Sequence, residues 1–490
     1  MTLENYFSKF RNNIIGIEQE FNSPYGTKKI IYADWIASGR LYMPIEDIFL
    51  KNIFPFVGNT HSESSVTGTS MTKAYHRARS IIKKHVKADE NDVIVFAGYG
   101  MTAVINKFQR ILGLSIPEQL HKYTTIPENE KPILFLTHME HHSNQTSWLE
   151  TICDVEIIKP DDQGLVSLQN LEELLRKYES RKTKIGSFTA ASNVSGLIPP
   201  YHKMAKLIHN YNGICFVDFA ASAPYVDIIM HTDDPEESLD AIFFSPHKFL
   251  GGPGTSGVMV FNSKLYKRLI PDQPGGGTVD WTNPWGEHKF IEDIEAREDG
   301  GTPGFLQAIK TAMAIKLKEE IGVENILKRE KELLSTAFEW LLKIPSLHIL
   351  AHEHQDRIGV ISFYIEDIHY NLMVRLLNDR FGIQVRGGCS CAGTYGHYLL
   401  HVDPTRSKRI TDKINKGDLS EKPGWVRLSL HPTMTDDELR TVLNAIEEII
   451  NNIDQWSKDY IYSSKTNEYK HVSAVDYESN SINNWFNNIK

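Results

Sequence analysis

In the stretch Phe244-Ser245-Pro246-His247-Lys248-Phe249 a lysine closes an apolar run and precedes the turn residues Gly251-Gly252-Pro253-Gly254. Most lysines in such places are simply solvated. Here a serine and a histidine suited to holding a phosphate come first, and a semi-buried lysine can condense with a carbonyl cofactor. Asp218 follows the apolar run Ile214–Val217. A carboxylate at a buried strand end is costly unless paired. It either caps the next helix or faces a cation, such as a protonated pyridine nitrogen whose electron-withdrawing character it would sustain.

A third cluster, Phe96-Ala97-Gly98-Tyr99-Gly100-Met101-Thr102-Ala103, reads as a strand, a glycine turn and the start of a helix over Val104–Leu114. Backbone N–H groups at such a junction favour an anion, with the Thr102 hydroxyl in support. The G-x-G-x-x-G pattern of a dinucleotide site is missing. In Thr137-His138-Met139-Glu140-His141-His142-Ser143-Asn144, a histidine at a strand end could stack on a planar cofactor, lie on a polar surface or bind metal. His138 and His142 have i, i+4 spacing, but no matching Cys/His pair follows. Half the cysteines fall in Gln384-Val385-Arg386-Gly387-Gly388-Cys389-Ser390-Cys391-Ala392-Gly393. Glycines there imply a mobile, exposed loop, and Arg386 can attract an anion, which points to reactive thiols ahead of a buried thiol or half a metal site.

The elements that must position these residues follow from apolar patterning. Val93–Phe96, Ile133–Leu136, Ile214–Val217 and Ala241–Phe244 are continuous apolar runs with helical stretches between them. That alternation predicts a mostly parallel sheet covered on both faces, with ligands outside the carboxyl ends of the strands. After the Gly-rich stretches at 274–278 and 300–303 the texture changes. A helix carrying Ala312, Ile315 and Ile321, strands at Ile358–Ile365 and Val426–Leu430, and a helix opened by a Thr435/Glu438 capping box predict a smaller α+β domain. Residues 401–423 read as a polar surface loop, and the Asn/Ser-rich last ~25 residues as a peripheral or poorly ordered tail.

Composition narrows the function. Lys+Arg 53 against Asp+Glu 62 gives a net charge of −9, unlike a dedicated nucleic-acid binder. Four cysteines in 490 residues do not make a disulfide framework, so a reducing, cytoplasmic location is expected. No apolar run is long enough to span a bilayer, and neither a signal peptide nor a membrane partner is expected.

Taken together, the motifs resemble fold-type I pyridoxal-phosphate enzymes of aminotransferase class V, and within it the group II cysteine desulfurases and selenocysteine lyases, over roughly residues 30–455. The resemblance implies an α/β fold with a large domain built on a mostly parallel seven-stranded sheet. The domains would be a 1–30 segment packing with the small domain, a large domain at 31–310, a small α+β domain with the cysteine loop at 311–460, and a tail at 461–490. It implies pyridoxal 5'-phosphate as cofactor, held covalently by Lys248. His141 would stack on the ring, Asp218 would pair with the ring nitrogen, and Ser245 and His247 would hold the phosphate beside Gly100, Met101 and Thr102. Ser192-Asn193-Val194-Ser195-Gly196 is similar to the family's S-N-x-x-G loop, which places Asn193 near cofactor and substrate. Gly301-Thr302-Pro303 resembles the segment that reaches the phosphate of a partner subunit, implying a homodimer. His61, Arg386 and Arg427 would serve an amino-acid substrate, Arg427 by gripping its carboxylate. Cys391 falls where the family places its persulfide cysteine, with Cys389 an extra thiol, and a sulfur-acceptor protein would take the product. Two positions depart from the family: Ala221 replaces a glutamine, and Met101 stands where a hydroxyl residue is common. The reaction implied is removal of sulfur or selenium from L-cysteine or L-selenocysteine to give alanine. The alternative is another class V aminotransferase, epimerase or C–S lyase on a different amino acid.

Overall fold

Seven runs of four to six residues, most of them apolar and several fully buried, form the central sheet of a computed structural model that describes residues 2–60, 63–473, 475 and 478–487. They are β1 (Asp92–Ala97), β2 (Ile133–Thr137), β3 (Asp154–Ile158), β4 (Lys184–Thr189), β5 (Ile214–Asp218), β6 (Ala241–Phe244) and β7 (Gly257–Asn262). Their order across the sheet is β1-β7-β6-β5-β4-β2-β3. The pairs β2–β3, β2–β4, β4–β5 and β5–β6 are parallel, while β7 runs antiparallel to β1 and β6. Residues lining both faces are apolar because helices cover both. Phe108, Trp148, Phe216, Phe243 and Phe261 meet in one core cluster. Each such burial contributes about 1.5–3 kcal/mol. The carboxyl ends of β1, β2, β4, β5 and β6 therefore share one edge.

Contacts divide the chain into two compact units. The sheet belongs to the unit formed by residues 36–193 and 197–327, which includes the helix Phe305–Ile321. The other unit takes residues 1–35, 194–196 and 328–490. In it β8 (Leu347–Ile349), β9 (Val360–Ile365), β10 (Arg386–Gly388) and β11 (Trp425–Ser429) form an antiparallel sheet in the order β8-β9-β11-β10. Its core joins Ile361, Phe363 and Leu428 to Leu376, Leu377, Val442 and Ile446 from helices. The Thr435 capping box is formed, and Arg11 of the first helix bonds Glu438 through two guanidinium nitrogens, at 2.8 and 2.7 Å.

Two expectations change. The polar stretch at 401–423 contains a helix, Pro404–Asn415. Asp403 caps its first turn and Lys408 pairs with Asp412 one turn on, so local charge and capping form it, with Ile410 its one buried residue. Part of the stretch that reads as a tail is a hairpin, Tyr460–Ser463 with Glu468–His471. Tyr460 Oη donates to Asp379 at 3.0 Å, and Asn467 Nδ2 donates to Tyr370 Oη at 2.6 Å. No helix among the described residues is long and apolar enough to cross a membrane.

Candidate active site

The helix Met101–Ile111 begins directly after β1, and its first N–H, that of Met101, donates to Ser245 Oγ at 2.8 Å. The Met101 side chain itself is buried in the core, so the position offers Ser245 its backbone N–H and no side-chain group. Gly100 lets the backbone pass close to both groups: a Cβ there would stand 3.1 Å from Ser245 Oγ and 3.5 Å from His247 Nε2. The helix start, a serine and an imidazole thus stand together, a donor set with the chemistry of a phosphate cradle. Burial, with the charge of Lys248 in support, pushes His247 down to about 4, so it is neutral at pH 7.

Lys248 ends a single 3-10 turn, Pro246–Lys248, and is half-buried. The strap carrying it is pinned from outside the sheet. Gly39 N–H donates to His247 O at 2.9 Å and Gly251 N–H to Arg40 O at 2.7 Å. A Cβ on Gly39 would collide with the Phe249 carbonyl, so this approach requires glycine. Asp218, the last residue of β5, is 4% exposed. Burial raises its carboxyl to about 6, against the Ala220 N–H bonded to Oδ1 at 2.8 Å and the charge of Lys248. A buried carboxylate so raised gains from a cationic partner.

After β2, His141 caps the helix His142–Leu149, and its Nδ1 accepts from Ser143 N–H at 3.1 Å. That bond fixes the ring and leaves the neutral form's proton on Nε2. Ser143 Oγ lies 2.6 Å from Thr102 Oγ1, joining the loops after β1 and β2. His138 turns elsewhere, with Nε2 3.2 Å from Gly164 O. Asn193 is buried in a loop closed by Ser192 N–H to Leu197 O at 2.9 Å. Gly301 bonds Gly276 O at 2.8 Å, and Thr302, exposed, bonds Asn59 Oδ1 at 3.3 Å. His61 lies outside the described residues.

Sequence reasoning missed Glu140. This fully buried carboxyl accepts from Thr137 Oγ1 (2.6 Å), Thr189 N–H (3.0 Å) and Asn144 Nδ2 (2.8 Å), tying the ends of β2 and β4 together. Burial outweighs those bonds and raises it to about 7. It was visible only as one polar residue in a polar run.

The other unit holds a separate group. Arg427 on β11 and Arg386 on β10 face each other in register. Asp34 bridges them, with Oδ1 2.8 Å from Arg427 Nη2 and Oδ2 3.1 Å from Arg386 Nε. Asp34 was also missed, because nothing near it in sequence announces partners more than 350 positions away. Burial lowers the Arg427 guanidinium below its usual range, and Asp34 opposes that. Two arginines holding one carboxylate can equally receive a substrate's. Cys391 is exposed and Cys389 half-buried, whereas Cys153 and Cys215 are buried.

The donor set of the first unit fits a phosphorylated carbonyl cofactor with a basic ring nitrogen. The cradle at Gly100, Ser245 and His247 suits the phosphate, Lys248 the carbonyl carbon, and Asp218 the ring nitrogen.

The family model described as Aminotransferase class-V matches residues 49–442. A probable cysteine desulfurase of Halalkalibacterium halodurans is 28% identical over 380 residues, 77% of this chain and 86% of that protein. One from Staphylococcus epidermidis is 28% identical over 382 residues, 77% of this chain and 85% of its own length. Among solved structures, the apo cysteine desulfurase of Thermococcus onnurineus NA1 superposes with a TM-score of 0.70 at 23% identity, covering 86% of this chain and 95% of that one. The cysteine desulfurase CsdA of Escherichia coli gives a TM-score of 0.70 at 20% identity, covering 91% and 98%.

Proposed function

This chain belongs to aminotransferase class V, a family of pyridoxal-phosphate enzymes, and from that premise we propose that it is a cysteine desulfurase, taking sulfur or selenium from L-cysteine or L-selenocysteine to leave alanine. The observation that carries the cofactor assignment is the cradle made by Gly100, the Met101 N–H bonded to Ser245 Oγ, and His247, one residue from Lys248. Pyridoxal 5'-phosphate, when bound, supplies an electron sink for the pair released at the substrate α-carbon.

This chain's residues do the rest. Lys248 Nζ holds the cofactor between turnovers and moves the proton taken from the substrate α-carbon. The Asp218 carboxylate keeps the proton on the ring nitrogen. His141, fixed through Nδ1, presents its ring as a stacking face. Asn193 serves cofactor and substrate from its buried loop. Arg427 and Arg386 receive the substrate α-carboxylate in place of Asp34. Cys391 Sγ attacks the substrate sulfur. The substrate C–S bond breaks, the carbon takes a proton to become the methyl of alanine, and the sulfur stays on Cys391 as a persulfide. An exposed thiol suits a sulfur that must be handed to an acceptor protein.

The reading includes a cytoplasmic homodimer. The dimer is supported by the exposed loop at Gly301 and Thr302, which is suited to a neighbour's phosphate. The test is incubation of the holoenzyme with L-cysteine and a reductant. Alanine and sulfide in equal amounts are expected, with the cofactor fixed by borohydride to the peptide containing Lys248. Pyruvate or a transaminated product in place of alanine would reject the desulfurase. A fully active monomer by light scattering would reject the dimer.

A further inference from the structure

The two loop cysteines, Cys389 and Cys391, stand at the first and third positions of one backbone turn. Ala392 N–H donates to Cys389 O at 3.0 Å, closing a four-residue turn. Its two central residues, Ser390 and Cys391, have φ of 51° and 55°. Consecutive left-handed residues that are not glycine are rare, and here they make a turn of the mirror-image kind. Cα atoms two residues apart in a tight turn stand roughly 5.5 Å apart, which meets the Cα spacing of a disulfide, so bridging the pair needs only side-chain rotation or a small backbone shift. Both cysteines line one groove of about 830 Å³, with Tyr370, Val374 and Arg386 among its walls. Cys391 is the exposed member and Cys389 the half-buried one.

The geometry points to Cys389 as a resolving thiol for a persulfide on Cys391, an inference that rests on the desulfurase reading. Cys389 attacks Cys391 Sγ, the inner sulfur of the persulfide. The Cys389–Cys391 bond forms, the persulfide S–S bond breaks, and the outer sulfur leaves with the thiol proton as hydrogen sulfide. The outer sulfur is reduced by two electrons, and the two cysteine sulfurs are oxidised to a disulfide. No outside oxidant enters. Resetting the loop takes two electrons and two protons from an external dithiol, which the open groove admits. When no acceptor protein takes the persulfide sulfur, the enzyme would thus discharge it as free sulfide and stall after one turnover unless a dithiol is present.

Two measurements on reduced, desalted holoenzyme test this. In the first, one equivalent of L-cysteine per subunit is added without reductant. Wild type should give one alanine and one sulfide, and its tryptic peptide Gly387–Arg406 should be lighter by two hydrogens. Cys389→Ser should give alanine without sulfide and a peptide heavier by one sulfur. Wild type that keeps the heavier peptide and releases no sulfide overturns the inference. In the second, substoichiometric Ellman's reagent is added with no amino acid. Wild type should release two thionitrobenzoates per reagent as Cys389 displaces the second, whereas Cys389→Ser should release one and keep the mixed disulfide. A stable mixed disulfide in wild type also overturns the inference. No alanine in the first measurement overturns the desulfurase reading and the persulfide step with it, while the second still decides whether the thiols pair.

Discussion

Asp218 and Cys391 are both placed for chemistry, and the fold treats them oppositely. Asp218 ends a central strand, buried, bonded by a backbone N–H and flanked by strands on both sides. Cys391 stands exposed on a turn with left-handed backbone. A group that must hold a fixed charge belongs where nothing moves and little water screens it. A group that must pick up cargo and release it belongs where solvent and partners reach it. The difference predicts that mutations at strand ends change stability and activity together, while those at the turn change activity alone.

Lys248→Ala is expected to give the largest effect, a loss of alanine formation of about 10³-fold or more, because in the proposed reaction Lys248 moves the proton. Retention of more than a tenth of the activity would break the comparison at its buried end.

Asp218→Asn should lower activity by roughly 10²-fold and stabilise the cofactor-free protein. Burial raises this carboxyl in the folded state from 3.8 to about 6. The folded state therefore keeps a proton that the unfolded chain has lost. The group's stabilising contribution is complete below pH 3.8 and is lost as pH rises through about 6. At pH 7 the cost is about 3 kcal/mol, which asparagine removes. Urea unfolding of both proteins at pH 4 and pH 7 checks the sign: the gain should be present at pH 7 and nearly absent at pH 4.

Asp34→Ala leaves the Arg427 guanidinium, whose side chain is 4% exposed, without its carboxylate. The expected loss is about 3 kcal/mol of unfolding free energy. Cys391→Ser, on the exposed turn, should change stability by less than about 0.5 kcal/mol. Thr435→Ala, which removes a helix cap, falls between them at about 1 kcal/mol. Denaturant melts of the three variants rank these directly.

The buried half of this contrast was the more legible in sequence. Asp218 and Lys248 stand where continuous apolar runs stop, and a buried parallel strand advertises its end by that change. Glu140 was hidden because its partners come from neighbouring strand ends, and among histidines it looks like surface. Asp34 was hidden by sequence distance. The helix at Pro404–Asn415 was missed because a capping aspartate and a charge pair, with one buried isoleucine, carry no apolar period. The loop cysteines were visible as a pair, but their turn depends on backbone angles that no residue type there announces.

In the proposed reaction Cys391 accepts the substrate's sulfur while the strand-end residues hold the cofactor. The most direct test compares wild type with Cys391→Ser, measuring the cofactor's visible absorbance and alanine formed from L-cysteine in the same sample. An unchanged absorbance band is expected in the variant, with alanine formation at least about 10²-fold lower, the scale of losing a covalent nucleophile. Alanine formed by Cys391→Ser at the wild-type rate would contradict it.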